Sequence, residues 1–180
     1  MNEGLKPPAH FIEALRADKR VGFNRLSRTE AGIYPDGHRK ETTMTYWRLH
    51  YHLIWATHDR EPSLTPEREK MFYGVLYNKG KELGLIIHAA GNIEDHAHVV
   101  ASIPPKLAVA DCVRHLKGAS AYAINHMDGS DGKFKWQGGY GALSVSERSL
   151  ETVMEYAARQ KEHHRDNKLI AVYERIDEEE

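Results

Sequence analysis

The residues most able to do chemistry are two histidines, His96 and His98, one residue apart inside an apolar run. Successive strand side chains point to opposite faces, so both imidazoles are expected on one side of a sheet. Two neighbouring imidazoles can bind one divalent metal ion. Two exposed histidines on a polar strand face would give the same pattern, so the pair alone is a weak signal. Its position near the start of the predicted strand favours a metal site.

A second candidate pair, Tyr156 and Gln160, lies far downstream in a segment with helical periodicity. A spacing of four puts the phenol and the amide on one helical face. Tyr156 could attack phosphorus as a nucleophile, and Gln160 could give the metal a third, oxygen ligand. The alternatives are a boundary tyrosine with a buried ring and a wet hydroxyl, and a surface glutamine. Together with the histidines, the pair suggests phosphodiester chemistry.

Another HxH pair, His50 and His52, is found on the first predicted strand. These histidines alternate with apolar residues that more readily form the core face: Trp47, Leu49, Tyr51, Leu53 and Trp55. The alternation therefore predicts that His50 and His52 lie on a polar outer face of the strand.

Basic and aromatic residues alternate through Lys133, Lys135 and Trp136. Such a segment can stack on bases and contact phosphates. It can equally be an edge strand with aromatic residues inward and lysines outward, and the sequence leaves both open.

Further cations are candidates for DNA contact. Arg114 and Lys117 are three residues apart on a predicted helix, where they would form a basic patch. His163 and Arg165 stand at the end of the final predicted helix and could reach a phosphate. Ordinary surface charge and a solvated helix end are the alternatives.

Composition narrows the protein class. The chain has 180 residues, 41% hydrophobic content, a net charge of −1 and one cysteine, Cys112. This suits a domain with a real core, excludes an internal disulfide and fits a reducing compartment. We expect no membrane span, no secretory signal and a cytoplasmic location. No phosphate-binding Gly-Lys loop is present, so no nucleotide cofactor is expected.

The predicted elements follow the order β-α-β-β-α-β, and a long helix comes last. They are strands over 46–55, 85–90 and 95–103, helices from Thr65-Pro66-Glu67 to Gly84 and over 109–123, short extended pieces over 134–136 and 140–145, and a final helix over 148–164 capped by Ser146. This order predicts an α+β, ferredoxin-like split βαβ sandwich. Its antiparallel sheet would carry helices on one face, plus a C-terminal catalytic helix. We expect a poorly structured extension over 1–43, a catalytic domain over 44–170 and an acidic tail over 171–180.

Four motifs follow one another along the chain: Tyr51-His-Leu-Ile-Trp-Ala-Thr, Asp95-His-Ala-His-Val-Val, Trp136-Gln-Gly-Gly-Tyr-Gly-Ala-Leu-Ser-Val-Ser and Tyr156-Ala-Ala-Arg-Gln-Lys-Glu-His-His-Arg. Over residues 46–168 the chain thereby resembles the single-tyrosine HUH transposases of the smallest bacterial insertion sequences and their REP-associated relatives. Four ordered motifs are far more specific than one HxH. Residues 1–43 have no counterpart in the resemblance.

The resemblance implies a set of roles. His96, His98 and Gln160 would hold Mg²⁺ or Mn²⁺, and Tyr156 would be the nucleophile that forms a 5′-phosphotyrosine. The DNA would be single-stranded with hairpin ends, and the protein would be a homodimer whose tyrosine helix can complete the partner's site. A domesticated hairpin-DNA binder and a water-using hydrolase are the alternatives, in which Tyr156 would not form an adduct.

Overall fold

A computed structural model describes residues 46–127 and 134–176. The expected extension over 1–43, Lys133 and the last four residues of the expected acidic tail lie outside the described residues. The chain divides into two units, Met1–Tyr46 and Trp47–Glu180. The architecture given below is that of the second unit.

The second unit is built on a four-stranded sheet. Its strands are β1 (His50–Ala56), β2 (Ile86–Asn92), β3 (His96–Ser102) and β4 (Gly141–Val145). Their order is β2-β3-β1-β4, and each neighbouring pair is antiparallel. Strand β3 lies between β1 and β2, which is the split βαβ arrangement, so the predicted fold is confirmed.

Five α-helices and one short 3-10 helix, His58–Arg60, accompany the sheet in the described part of the chain. The α-helices are α1 (Pro66–Leu83), α2 (Val109–Asn125), α3 (Leu150–Ala158), α4 (Gln160–Arg165) and α5 (Ala171–Glu174). The hydroxyl of Thr65 accepts a bond from the backbone N–H of Arg68 at the start of α1, and Gly84 ends the helix with φ of 75°. Both ends follow from residue types that suit an N-cap and a left-handed stop.

One face of the sheet is covered by α1 and α2. The buried side chains there include Leu53 and Trp55 from β1 and Phe72, Leu76 and Leu116 from the helices. This packing of α1 and α2 stabilises the sheet, whose opposite face carries the candidate site.

The opposite face of the sheet is covered by the C-terminal helices. Val153 and Ala157 of α3 pack against Val100, and Ile176 packs against Ile54.

The prediction that His50 and His52 lie on a polar outer face is wrong: His50 is 6% exposed and His52 is fully buried. The alternation holds within β1, where Leu53 and Trp55 lie in the core, but the strand begins at His50 rather than at residue 46, and Leu49 is 38% exposed. Long-range packing covers the polar side of the strand as well.

The predicted final helix differs from the structure. It begins at Leu150 rather than at residue 148, and it is interrupted at Arg159, whose φ of −109° and ψ of 27° are not helical. The interruption separates Tyr156 on α3 from Gln160 on α4.

None of the helices in the described ranges is long and apolar enough to cross a membrane.

Candidate metal and tyrosine site

The histidine pair lies on β3 with both imidazoles on the face that α3 to α5 cover. His96 is 2% exposed and His98 is fully buried. His96 Nδ1 lies 2.6 Å from Asp95 Oδ1, and His98 Nδ1 lies 2.9 Å from His52 Nε2. Partners on both Nδ1 atoms fix the ring orientations and leave each Nε2 turned into the site.

A third imidazole and a carboxylate meet the pair. One oxygen of Glu174, Oε2, lies 3.1 Å from His96 Nε2, 3.4 Å from His98 Nε2 and 3.7 Å from His164 Nε2. All three Nε2 atoms are buried and make no hydrogen bond to a described residue. His96, His98 and Glu174 together form a group able to hold a metal ion. Imidazole nitrogens and a carboxylate suit a divalent ion, so the residues fit such a group.

The candidate nucleophile, Tyr156, lies beside this cluster in the same chain. It is 4% exposed, and its hydroxyl donates a hydrogen bond to Glu174 Oε1. The backbone N–H of Ile170 donates to the same hydroxyl over 3.1 Å. The centroid of its ring is 6.1 Å from that of His98. The carboxylate of Glu174 thus connects the tyrosine to the histidine pair.

Gln160 is 1% exposed despite lying beyond the helix break. Its Nε2 donates to the backbone oxygen of Tyr156 over 3.1 Å. Its Oε1 is buried and accepts no hydrogen bond from a described residue. A buried amide oxygen without a donor is costly unless a ligand satisfies it, which is compatible with the expected role toward a metal.

Two glycines allow the C-terminal elements to approach the sheet. A Cβ on Gly91 would lie 1.8 Å from the backbone oxygen of Ala157, next to Tyr156. A Cβ on Gly141 would lie 2.2 Å from the backbone oxygen of Arg175, next to Glu174. The positions of Tyr156 and Glu174 therefore both depend on a glycine in a strand, where any larger residue would push the neighbouring backbone away.

Burial and the neighbouring charges shift the protonation of the site. Burial, followed by the nearby His98, lowers the pKa of His52 to about 3. A neutral His52 can accept the Nδ1–H of His98, which leaves the His98 Nε2 lone pair for a metal. Burial lowers the pKa of His96, but the carboxylates of Asp95 and Glu174 outweigh it and raise the pKa overall. Burial, then the bond to Glu174, raises the pKa of Tyr156 to about 12.

The expected base-stacking segment is mostly inside the protein. Phe134 and Trp136 are buried, with ring centroids 4.8 Å apart, whereas Lys135 is exposed. Trp136 Nε1 donates to Ser120 Oγ over 2.9 Å. The arrangement follows the alternative with aromatic residues inward, and the Trp136 ring is part of the core.

The other candidate DNA contacts are spread over the surface. Arg114 is bonded to Asp111, and Arg165 to Asp166; both arginines are exposed. Lys117 donates to the backbone oxygens of residues 137–139. His163 stacks on Tyr156 with centroids 4.6 Å apart, so it supports the tyrosine.

Sequence reasoning missed three residues of the cluster: His52, His164 and Glu174. His52 shares the face of β1 with His50, and only the register of β1 against β3 brings it to His98. Glu174 was included in the expected acidic tail. No local signal distinguishes it from the acidic residues that follow.

The IS200-like transposase family matches residues 45–160 of this chain. The match includes both histidines, Tyr156 and Gln160, and spans well over half of the sequence. The chain belongs to the IS200-like transposases. It is 29% identical over 119 residues to the ISDra2 transposase TnpA of Deinococcus radiodurans, covering 63% of this chain and 85% of that protein. It is 27% identical over 132 residues to the transposase for insertion sequence element IS200 of Salmonella typhimurium, covering 70% and 86%.

Solved structures show the same fold. A putative transposase from Deinococcus radiodurans is 28% identical, with a TM-score of 0.50 over 67% of this chain and 97% of that chain. A REP-associated tyrosine transposase bound to a REP hairpin is 14% identical, with a TM-score of 0.53 over 67% and 74%. The second likeness concerns the fold alone.

Proposed function

We propose that this IS200-like transposase cleaves and rejoins single-stranded DNA through a covalent 5′-phosphotyrosine on Tyr156. The observation that carries the proposal is the single buried cluster in which the Tyr156 hydroxyl and the Nε2 atoms of His96 and His98 flank one carboxylate. A nucleophile and a set of metal donors in one site are what a metal-assisted phosphoryl transfer requires.

His96, His98 and Gln160 would hold a Mg²⁺ or Mn²⁺ ion. Three buried atoms without hydrogen-bond partners in the described chain, two imidazole nitrogens and the Gln160 Oε1, support this assignment. When bound, the ion supplies Lewis-acid polarisation of a non-bridging phosphate oxygen.

Tyr156 would act as follows. Its oxygen attacks phosphorus, the bond from phosphorus to the 3′ oxygen breaks, and the leaving oxygen takes up a proton to become a free 3′-hydroxyl. The phenol is protonated at neutral pH because its pKa is about 12, so its proton must move as it attacks. Glu174 Oε1 already accepts that proton in a hydrogen bond. A second 3′-hydroxyl reverses the steps and rejoins the strand, so no nucleotide cofactor is needed.

The proposed partner is single-stranded DNA with hairpin ends, bound by a homodimer in the cytoplasm. One solved relative in fold is bound to a REP hairpin. Exposed cations at Lys135, Arg114 and Arg165 are the proposed phosphate contacts among the described residues.

A second candidate function is hairpin-DNA binding without cleavage. It is favoured by the burial of Tyr156 and by the two hydrogen bonds that its hydroxyl makes to Glu174 and to the Ile170 N–H. In this arrangement Ile170 and Glu174 both occupy hydrogen-bonding positions of the hydroxyl.

The deciding experiment combines the full chain with labelled single-stranded DNA from the flanks of its own gene, in Mn²⁺ or Mg²⁺, on a denaturing gel. We expect a protein–DNA adduct that is lost in Tyr156→Phe while hairpin binding survives. Cleavage without an adduct, unchanged in that variant, would instead identify a water-using hydrolase. Tight hairpin binding with no cleavage by the wild type would favour the binding protein.

A further inference from the structure

We propose that Glu174 is a ligand of the divalent metal ion, and that its second oxygen holds the Tyr156 hydroxyl until DNA arrives. The inference rests on the proposed function, because it concerns the same metal. It assigns a metal ligand to α5, fourteen residues beyond Gln160 and outside the family match, which ends at residue 160.

The distances between Glu174 Oε2 and the Nε2 atoms of His96 and His98 are those expected of atoms that bind one metal ion. Two ligands bound about 2.1 Å from a metal lie roughly 3.0 Å apart at a right angle and roughly 3.4 Å apart at a tetrahedral angle. Glu174 Oε2 is 3.1 Å from His96 Nε2 and 3.4 Å from His98 Nε2. An ion between the three atoms therefore needs little rearrangement.

The contacts of the two Nε2 atoms are also compatible with a metal ligand. Both atoms are buried beside the Glu174 carboxylate, 3.1 and 3.4 Å from its Oε2, in close contacts that lack good hydrogen-bond geometry. Their Nδ1 atoms are already engaged by Asp95 and by His52. Buried polar atoms that converge without bonding one another are best satisfied by an ion between them.

The two oxygens of Glu174 face different groups. Oε2 faces the imidazoles, whereas Oε1 accepts the hydrogen bond from Tyr156. One carboxylate thereby contacts both the proposed metal ligands and the proposed nucleophile. The carboxylate would thus keep the tyrosine beside the metal before the substrate binds.

The test measures Mn²⁺ affinity of the full chain without DNA, by calorimetry and by the electron-spin signal of free Mn²⁺. We expect Glu174→Gln, which keeps the shape and removes the charge, to weaken binding about tenfold or more. Glu147→Gln is the matched control, because Glu147 accepts a bond from His50 Nε2 at 2.9 Å on a different end of the sheet. This control should bind Mn²⁺ like the wild type.

A merely structural role is distinguished by Co²⁺, whose visible absorption reports the ligand set. At saturating Co²⁺ the spectrum of Glu174→Gln should differ from the wild type, and that of Glu147→Gln should not. If Glu174→Gln binds Mn²⁺ as tightly as the wild type, or more tightly, the carboxylate competes with the metal and the inference is wrong. If the wild type binds no Mn²⁺, the metal-dependent function itself fails.

Discussion

The two ends of one sheet face carry histidine clusters that differ in how their nitrogens are satisfied. At one end, His50 Nδ1 lies 2.7 Å from Ser102 Oγ and His50 Nε2 lies 2.9 Å from Glu147, while His88 Nε2 lies 2.6 Å from the same serine. At the other end, the Nε2 atoms of His96, His98 and His164 have no hydrogen bond within the described chain.

The difference separates a structural network from a site. A buried polar group that is satisfied by its neighbours stabilises the fold and offers nothing to a ligand. A buried group left without a partner lowers stability, and its retention points to something that binds there. Each cluster includes histidines from an HxH pattern, His50 in the first and His96 and His98 in the second, so the residue pattern alone does not distinguish them.

The largest expected effect comes from His96→Ala or His98→Ala. Removing one imidazole takes away a metal ligand, and since such ions supply several kcal/mol of transition-state stabilisation, DNA cleavage should fall by about a thousandfold or more. Adduct formation and Mn²⁺ affinity are the measurements. His50→Ala, from the satisfied cluster, is the control and should keep its affinity for Mn²⁺. Equal losses in both variants would contradict the comparison.

The next effect concerns Gly91→Ala. The added Cβ would meet the Ala157 oxygen at 1.8 Å, so α3 must shift and displace Tyr156. A misplacement of about 1 Å is expected to lower the rate of adduct formation about a hundredfold. Gly118→Ala is the matched control, because nothing lies within 4 Å of its Cβ, and it should keep the wild-type rate. Normal kinetics in Gly91→Ala would mean that Tyr156 does not need this contact.

His50→Ala tests the satisfied cluster by itself. The variant loses the bonds to Ser102 and Glu147, so the free energy of unfolding should fall by about 1–3 kcal/mol. Urea denaturation measures this change, and Mn²⁺ titration of the folded protein checks that the other cluster is untouched. A large drop in Mn²⁺ affinity without a loss of stability would assign His50 to the metal site instead.

The smallest effect is expected for Trp136→Phe. The variant loses the bond to Ser120 and part of the apolar contact, which should lower the free energy of unfolding by about 1–2 kcal/mol. Affinity for single-stranded DNA should not change, because the ring is buried. Denaturation and DNA-binding titrations provide the two readouts. A selective loss of DNA affinity would restore the base-stacking interpretation of residues 133–136.

The sequence by itself determined the element order, the helix ends at Thr65 and Gly84, and the shared face of His96 and His98. These features depend on backbone periodicity and local capping, which neighbouring residues impose. The spacing of Tyr156 and Gln160 also identified two buried residues correctly as neighbours, although Arg159 interrupts the helix between them.

Only the tertiary structure decided which other side chains lie beside His96, His98 and Tyr156. The register of β1 against β3 brings His52 to His98, and the return of the chain after α4 brings Glu174 to both His96 and Tyr156. His52 and His98 are 46 positions apart in the sequence, and His96 and Glu174 are 78 positions apart. The first contact depends on the register of β1 against β3, and the second depends on how α3 to α5 pack against the sheet. No short-range pattern in the sequence encodes either arrangement.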